Sequence, residues 1–186
     1  MGCGERAMFE VSDIQKDLPA WPEDVIEQWL LYFANEPDCG WPPPEPLGNH
    51  RWSALLGGRP LSWWQEVAWK SEKASCDLAS LTPRARTGVN EIIAEMITGA
   101  ADATTKRRVQ HSYRHIMDEG RFPRQLVTMR TDAGLSLIDG SHRMAAFEML
   151  QRTPDAKFNA LGKVRAKLEQ DVWVGTHAKG EVPLHY

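Results

Sequence analysis

The stretch "RQLVTMRTDAGLSLIDGSHRMAAFEML" constrains the fold of this chain more than any other. Its first part alternates apolar and polar residues on both sides of "TDAG", which is typical of two antiparallel strands joined by a hairpin. The polar turn "DGSHR" follows the second strand, and the residues after it have the pattern of a helix. We therefore predict strands over residues 125–130 and 135–138 and a helix over residues 141–151.

Helical spacing and helix-end signals recur elsewhere in the sequence. "WPEDVIEQWLLYFANEP" has Pro22 in its first turn and apolar residues at helical spacing, and it ends before Pro37. "LSWWQEVAWKSEK" is predicted as a second helix with Ser62 as its cap. The remaining predicted elements are helices over residues 82–96 and 104–118 and a strand over residues 170–177.

Length and composition predict one domain of the α+β class. A chain of 186 residues with 42% hydrophobic residues can bury one sizeable core. We expect a single domain over residues 1–186, with a helical, tryptophan-rich N-terminal extension over 1–80 and a core over 82–186. Six of the eight tryptophans lie between Trp21 and Trp64. They could pack this extension onto the rest of the chain or form a partner-binding patch, and we favour packing because aromatic residues at helical spacing usually lie in a core.

Charge is distributed unevenly along the chain. The formal net charge of -3 argues against a protein coated with basic residues. Residues 104–130, however, contain seven lysines and arginines and only two acidic residues. Such a segment indicates either a surface that faces a polyanion or an ordinary solvated face.

Cysteine usage and hydropathy indicate the compartment. Cys3, Cys39 and Cys76 are odd in number and lack the paired spacing of metal ligands, so neither a disulfide framework nor a zinc site is indicated. The start "MGCGERAMFE" has no apolar stretch of signal-peptide length, and no segment has the roughly 20 apolar residues that a membrane span needs. We expect a cytoplasmic protein without membrane insertion.

The turn "DGSHR" has the composition of an anion site. A helix that begins at Ser141 leaves its first N–H groups without intrahelical partners and presents partial positive charge there. Gly140 lets the backbone approach a ligand, and Arg143 adds a planar fork suited to phosphate oxygens. His142 can donate a hydrogen bond or titrate near neutral pH. The alternative is a capped helix, in which Asp139 and Ser141 accept from N–H groups and Arg143 pairs with a surface carboxylate.

The run "LSLIDGSHRMAAFEML", preceded by "FPRQLVTMR" and a basic helix, resembles the core of the ParB/sulfiredoxin superfamily over about residues 82–176. In that superfamily the Gly-x-x-Arg turn binds the phosphates of a nucleotide, ATP or CTP. The resemblance implies a ParB/sulfiredoxin-like core, a small mixed sheet packed by helices. Sulfiredoxins have a nucleophilic cysteine where this chain has Ser141, so sulfinic acid repair is not expected. The nucleotide-binding residues implied are Gly140, Ser141, His142, Arg143 and Lys106, with Arg107 and Arg108 as alternatives to Lys106.

The resemblance also implies an activity. The chain is most similar to small stand-alone members described as ATP-hydrolysing and DNA-cleaving, and within these to plasmid fertility-inhibition proteins. An ATPase and nonspecific DNA endonuclease that uses ATP and Mg²⁺ and inhibits conjugative plasmid or T-DNA transfer is therefore expected. Catalytic roles fall on Asp139, His142 and Arg143. Magnesium, held mainly by phosphates and one or two carboxylates, would bind Asp139, with Glu148 as a weaker candidate.

The basic helix before the hairpin is a candidate DNA-binding element. Arg107, His111 and Arg114 share one helical face, and Arg108 and His115 share another. Arginines on such a face could contact the phosphate backbone without reading sequence, so the DNA-binding candidates are Arg107, Arg108, His111 and Arg114. The rival hypothesis is a non-catalytic DNA- or nucleotide-binding module that docks on a conjugation or type IV secretion component.

Overall fold

The computed structural model describes residues 8–184, and the chain forms two compact units. Within these residues, the first unit consists of 8–69 together with 176–184, and the second is Lys70–Gly175. The boundary predicted from sequence lies at residues 80 to 82. The first unit thus ends about ten residues earlier than the expected extension. It also includes Thr176 and His177, the last two residues of the C-terminal strand.

The first unit is built mainly from short helices. The helix predicted before Pro37 is confirmed, although its middle turns widen to a π-helical hydrogen-bonding pattern. The helical segments of this unit are α1 (Val11–Gln15), α2 (Glu23–Val25), the π-helical stretch Ile26–Leu30, α3 (Leu31–Ala34), α4 (Arg51–Leu55) and α5 (Leu61–Trp64).

Tryptophan side chains form the core of the first unit. The Trp21 and Trp29 rings stack with their centroids 5.7 Å apart, and Trp64 meets both rings edge-on. The indole N–H of Trp64 donates to the Leu56 carbonyl at 3.0 Å, so a polar group buried with the ring has a partner. The expectation that tryptophans lie in a core is confirmed for those that are at most 8% exposed: Trp21, Trp29, Trp52, Trp63 and Trp64.

The predicted helix over "LSWWQEVAWKSEK" is wrong beyond its first turn. Pro60 rather than Ser62 is the N-cap, α5 ends at Trp64, and strand β1 covers Val67–Ser75. Val67 is buried, Ala68 is exposed and Trp69 is again partly buried, so burial here alternates with the period of a strand.

One four-stranded mixed sheet confirms the α+β class. Its strands are β1, β2 (Leu126–Thr131), β3 (Gly134–Asp139) and β4 (Glu169–His177), in the order β1-β4-β2-β3. Strands β2 and β3 form the predicted antiparallel hairpin, and β2 and β4 run parallel. The hairpin strands and β4 begin and end within one residue of their predicted bounds.

Helices of the second unit pack on this sheet. They are α6 (Pro83–Thr98), α7 (Ala103–Glu119), α8 (Ser141–Gln151) and α9 (Asp155–Ala160), with a 3-10 turn at Leu78–Ser80. The first three confirm the predicted helices. Asp102 caps α7 by accepting from the N–H groups of Thr104 and Thr105, and Gly120 ends it in the left-handed conformation. Within residues 8–184, no helix has both the length and the apolar character needed to cross a membrane.

The start of α8 is fixed by the core. Met144, Ala145, Ala146 and Phe147 are all completely buried, immediately after the polar turn. The two alanines let α8 approach its neighbours closely, and Phe147 packs against Phe122 at a centroid distance of 5.1 Å. The polar residues of the turn therefore stand on a rigid base.

Candidate functional site

The turn between β3 and α8 requires glycine at position 140. Gly140 has a φ of 109° and is the N-cap residue of α8. A Cβ at this position would lie 2.6 Å from Leu126 Cδ2 and 3.1 Å from the Arg143 guanidinium. Both the backbone angle and the lack of space therefore exclude a larger residue without rearrangement.

Arg143 connects the start of α8 to the start of the hairpin. Its Nη1 donates to the carbonyls of Arg124 and Gln125, each at 2.9 Å, and its Nη2 pairs with the Asp139 carboxylate. Only 12% of the Arg143 side chain is exposed. The alternative interpretation of the turn expected Arg143 to pair with a surface carboxylate. Arg143 does pair with a carboxylate, and it is that of Asp139 in the turn itself. In this conformation the guanidinium binds protein oxygens.

The N-terminus of α8 has no side-chain cap. Its N-cap residue is Gly140, which has no side chain that could accept from the first turn, and this differs from the capping by Asp139 and Ser141 that the alternative interpretation expected. The Asp139 carboxylate accepts instead from the Gly140 N–H. The helix start, with its partial positive charge, thus has the paired Asp139 carboxylate beside it, and Ser141 and His142 are half-buried there.

Arg108 acts electrostatically on this turn. Burial lowers the pKa of His142 below 6.5, and the positive charge of Arg108 lowers it further, while Asp139 and Asp102 act in the opposite direction. Burial raises the pKa of Asp139, opposed by the charges of Arg143 and Arg108. Arg108, which the sequence analysis assigned to the DNA-binding set, thus adds positive charge to the surroundings of the turn.

A second cationic surface lies on another face of α7. The basic depression, as we call it, has a volume of about 500 Å³. None of its lining residues is acidic, and Arg107, His111 and Arg114 are all exposed. Its lining residues are Ala103, Lys106, Arg107, Gln110, His111 and Arg114.

The structure regroups the predicted site residues. Lys106, predicted to bind nucleotide, lines the basic depression, and its ammonium group donates to the Gly99 carbonyl at 3.0 Å. Arg107, His111 and Arg114 share this surface as their spacing indicated. Sequence reasoning gave no role to Gln110, although it stands within the basic run "KRRVQHSYRH". The residues of the turn, 139–143, are held together as a separate group.

The carboxylates proposed for magnesium are already paired. Asp139 pairs with Arg143, and Glu148 pairs with Arg152 at 2.7 Å. Among residues 8–184, no group of three or more His, Cys, Asp or Glu side chains is arranged to hold a metal ion. Binding of Mg²⁺ to Asp139 would require its pair with Arg143 to open, so the residues present do not form a ready metal site.

Searches against protein-family models, curated proteins and solved structures find no match.

Proposed function

We propose that this protein binds DNA through the basic depression on α7, as a DNA-binding module without a required catalytic step. One observation carries the proposal: Arg107, His111 and Arg114 share an exposed surface that contains no carboxylate. Among residues 8–184, none of these three side chains has a hydrogen-bonding or ion-pair partner in the protein. They are therefore free to meet an external anion.

A nucleic acid backbone is the polyanion that such a surface fits best. Successive phosphates give a row of negative charges, and two arginines seven residues apart on a helix lie about 10 Å apart along its axis. Contacts of this kind give affinity without sequence preference. The basic helix and the hairpin resemble the ParB/sulfiredoxin-like core of that superfamily. Its small stand-alone members are described as DNA-cleaving, which supports DNA as the ligand.

Salt dependence tests this proposal. Affinity for a labelled DNA strand would be measured by fluorescence anisotropy from low to high salt, for wild type and the double variant Arg107→Ala/Arg114→Ala. We expect the variant to bind more weakly and the salt slope to fall by about 2, roughly one per lost phosphate contact. The double variant Arg84→Ala/Arg121→Ala removes the same charge from exposed sites elsewhere. Equal weakening in both double variants would refute a role for this particular surface.

ATP hydrolysis with DNA cleavage is the second candidate function. The observation that favours it is the uncapped start of α8 beside His142 and Arg108. Nucleotide phosphates would bind the N–H groups of Ser141 and His142, with Arg108 supplying charge. Asp139, His142 and Arg143 remain the proposed catalytic residues.

Phosphate release from ATP with magnesium tests this second function. Wild type would be compared with Arg108→Ala and with Arg143→Ala at matched fold content. Turnover that falls in the Arg108→Ala variant supports a nucleotide site at the turn, because this side chain makes no hydrogen bond within residues 8–184. Absence of turnover in the wild type would leave DNA binding as the only function of the two.

The cellular role that accompanies either function is inhibition of conjugative plasmid or T-DNA transfer in the cytoplasm, with a type IV secretion component as partner. The similarity to plasmid fertility-inhibition proteins supports this role. Transfer frequency from donor cells with wild type or Arg107→Ala/Arg114→Ala would test it. Unchanged frequency on expression of the wild type would refute the role.

A further inference from the structure

A small apolar depression adjoins the basic depression. Its volume is about 210 Å³, and it lies where helices α6, α7 and α8 meet. Gln110 and Arg114 line both depressions. The apolar depression is lined by Met96, Val109, Gln110, Tyr113, Arg114 and Met149.

The lining of the apolar depression suits a flat, uncharged ring. Tyr113 supplies an aromatic ring, and Met96 and Met149 supply polarisable thioethers that adapt to a planar group. The depression is smaller than the roughly 300–1,000 Å³ of pockets that enclose a whole drug-sized ligand. It therefore has room for one ring system rather than for a complete nucleotide.

Polar groups at the shared edge are available to a ligand. Within the part of the chain that the structure describes, Gln110, Tyr113 and Arg114 make no side-chain hydrogen bond or ion pair. The Gln110 amide offers both donors and an acceptor, and Arg114 offers a charged fork. The Gln110 amide, beside the apolar depression, can hydrogen-bond to the edge of a base. The Arg114 guanidinium, in the basic depression, can bind the phosphate of the same nucleotide.

We propose that the two depressions form one subsite for an unpaired nucleotide of single-stranded DNA, an inference that rests on the proposed DNA-binding function. The base enters the apolar depression against Tyr113, with its edge at the Gln110 amide. The adjoining phosphates lie on Arg114 and Arg107. A base in duplex DNA is stacked on its neighbours and paired, so it cannot enter this depression.

Charge favours single-stranded DNA over an aromatic side chain of a protein partner. The two depressions have three lysine or arginine residues and no carboxylate in their lining. A nucleotide in a DNA strand has a ring that fits the apolar depression and phosphates on both sides that can bind the cations of the basic depression. The preference among bases is expected to be weak, because every base has a face that can stack.

Three ligands of equal charge test the subsite. Anisotropy would be measured for labelled dT12, for the same strand with abasic sites at every position, and for a duplex with the same number of phosphates. We expect wild type to bind dT12 roughly tenfold more tightly than the abasic strand, the effect of about one base-stacking contact. Equal affinity for dT12 and the abasic strand would overturn the inference.

Variants locate the contact. Tyr113→Leu keeps apolar volume but removes the ring, and we expect it to weaken dT12 binding roughly tenfold with no change for the abasic strand. Tyr113→Phe should retain binding to dT12. Tyr32→Leu, at an exposed tyrosine of the first unit, is the matched control and should bind as wild type does. If Tyr113→Leu does not fold, wild type with the abasic strand and Tyr113→Phe with dT12 still decide the question.

The outcomes separate this inference from the function on which it rests. If Tyr113→Leu binds dT12 as wild type does, while Arg107→Ala/Arg114→Ala still weakens all three ligands, the base subsite is refuted and DNA binding stands. If wild type binds none of the three ligands, both are refuted.

Discussion

Arg143 pairs with Asp139 across the start of α8, and the same guanidinium holds the carbonyls of Arg124 and Gln125 at 2.9 Å. One side chain thereby joins the end of β3, the start of α8 and the residues that lead into β2. A residue that sequence suggests as a phosphate ligand is, in this conformation, a bridge within the protein. Its removal should therefore lower the free energy of unfolding, whatever its effect on ligand binding.

Replacement of Arg143 by alanine should destabilise the fold. It removes the donor to two carbonyls and the ion-pair partner of the Asp139 carboxylate, and we expect the free energy of unfolding to fall by about 2–4 kcal/mol. Arg143→Lys keeps the charge but not the fork, so it should recover only part of this loss. Urea denaturation followed by circular dichroism measures both variants. An unchanged midpoint for Arg143→Ala would contradict the bridging role.

Gly140→Ala should cost more stability than Gly99→Ala. Both glycines have a positive φ, but a Cβ at Gly140 would lie 2.6 Å from Leu126 Cδ2, whereas Gly99 has no atom within 4 Å of that position. Backbone strain alone is expected to cost about 1–3 kcal/mol at either site, and Gly140→Ala adds steric overlap. Thermal unfolding of the two variants makes the comparison. Equal shifts in Tm would contradict the prediction, because they would mean that the turn accommodates a Cβ at position 140 without steric cost.

Removal of Arg108 should raise the pKa of His142 towards 6.5. The charge of Arg108 lowers the pKa of this imidazole, so Arg108→Ala relieves one of the two main causes of the shift. NMR titration of the imidazole C–H signals measures it. Arg107→Ala, which alters the basic depression instead, is the control and should leave the titration of His142 unchanged.

The same shift predicts how stability depends on pH. Because the folded-state pKa of His142 lies below its unfolded value, the stability that neutral His142 contributes is complete above pH 6.5 and is lost as pH falls through the folded pKa. Denaturation midpoints between pH 7 and 5 should therefore fall less in His142→Gln than in wild type. Parallel midpoints for the two proteins would contradict the assigned shift.

Trp52→Ala should cost about 3–5 kcal/mol, since its ring is fully buried and leaves a cavity. Trp52→Phe should cost less, although it leaves the Gly40 carbonyl without the indole N–H that donates to it at 3.0 Å. Chemical denaturation monitored by tryptophan fluorescence measures both losses. A smaller loss for the alanine variant would contradict the packing role.

Local signals made much of the second unit predictable. Capping residues, left-handed glycines and a change of hydrophobic period fix where α6, α7 and the hairpin begin and end, because each signal depends only on neighbouring residues. Strand β1 was not predictable in this way. Its sequence "VAWKSEKAS" fits helical spacing, and its extended form depends on a sheet partner distant in the sequence.

The residues of the site could be predicted from the sequence, but their hydrogen-bonding partners could not. The sequence located the turn and its glycine, and it placed Arg107, His111 and Arg114 on one helical face. It could not assign the partners of Arg143, because the carbonyls that it holds lie 19 and 18 residues earlier in the chain. Gln110 was missed because a single amide in a charged run has no distinctive pattern.

The burial of Met144 to Phe147 directly below the turn has an evolutionary consequence. Ser141 and His142 are half-buried, whereas the four residues from Met144 onward are inaccessible to solvent. Mutation can therefore exchange the hydroxyl or imidazole for another reactive group without redesign of the interior. The scaffold and the reagents it displays can change independently, and a directed library over positions 141 and 142 could sample new chemistry on one fixed helix start.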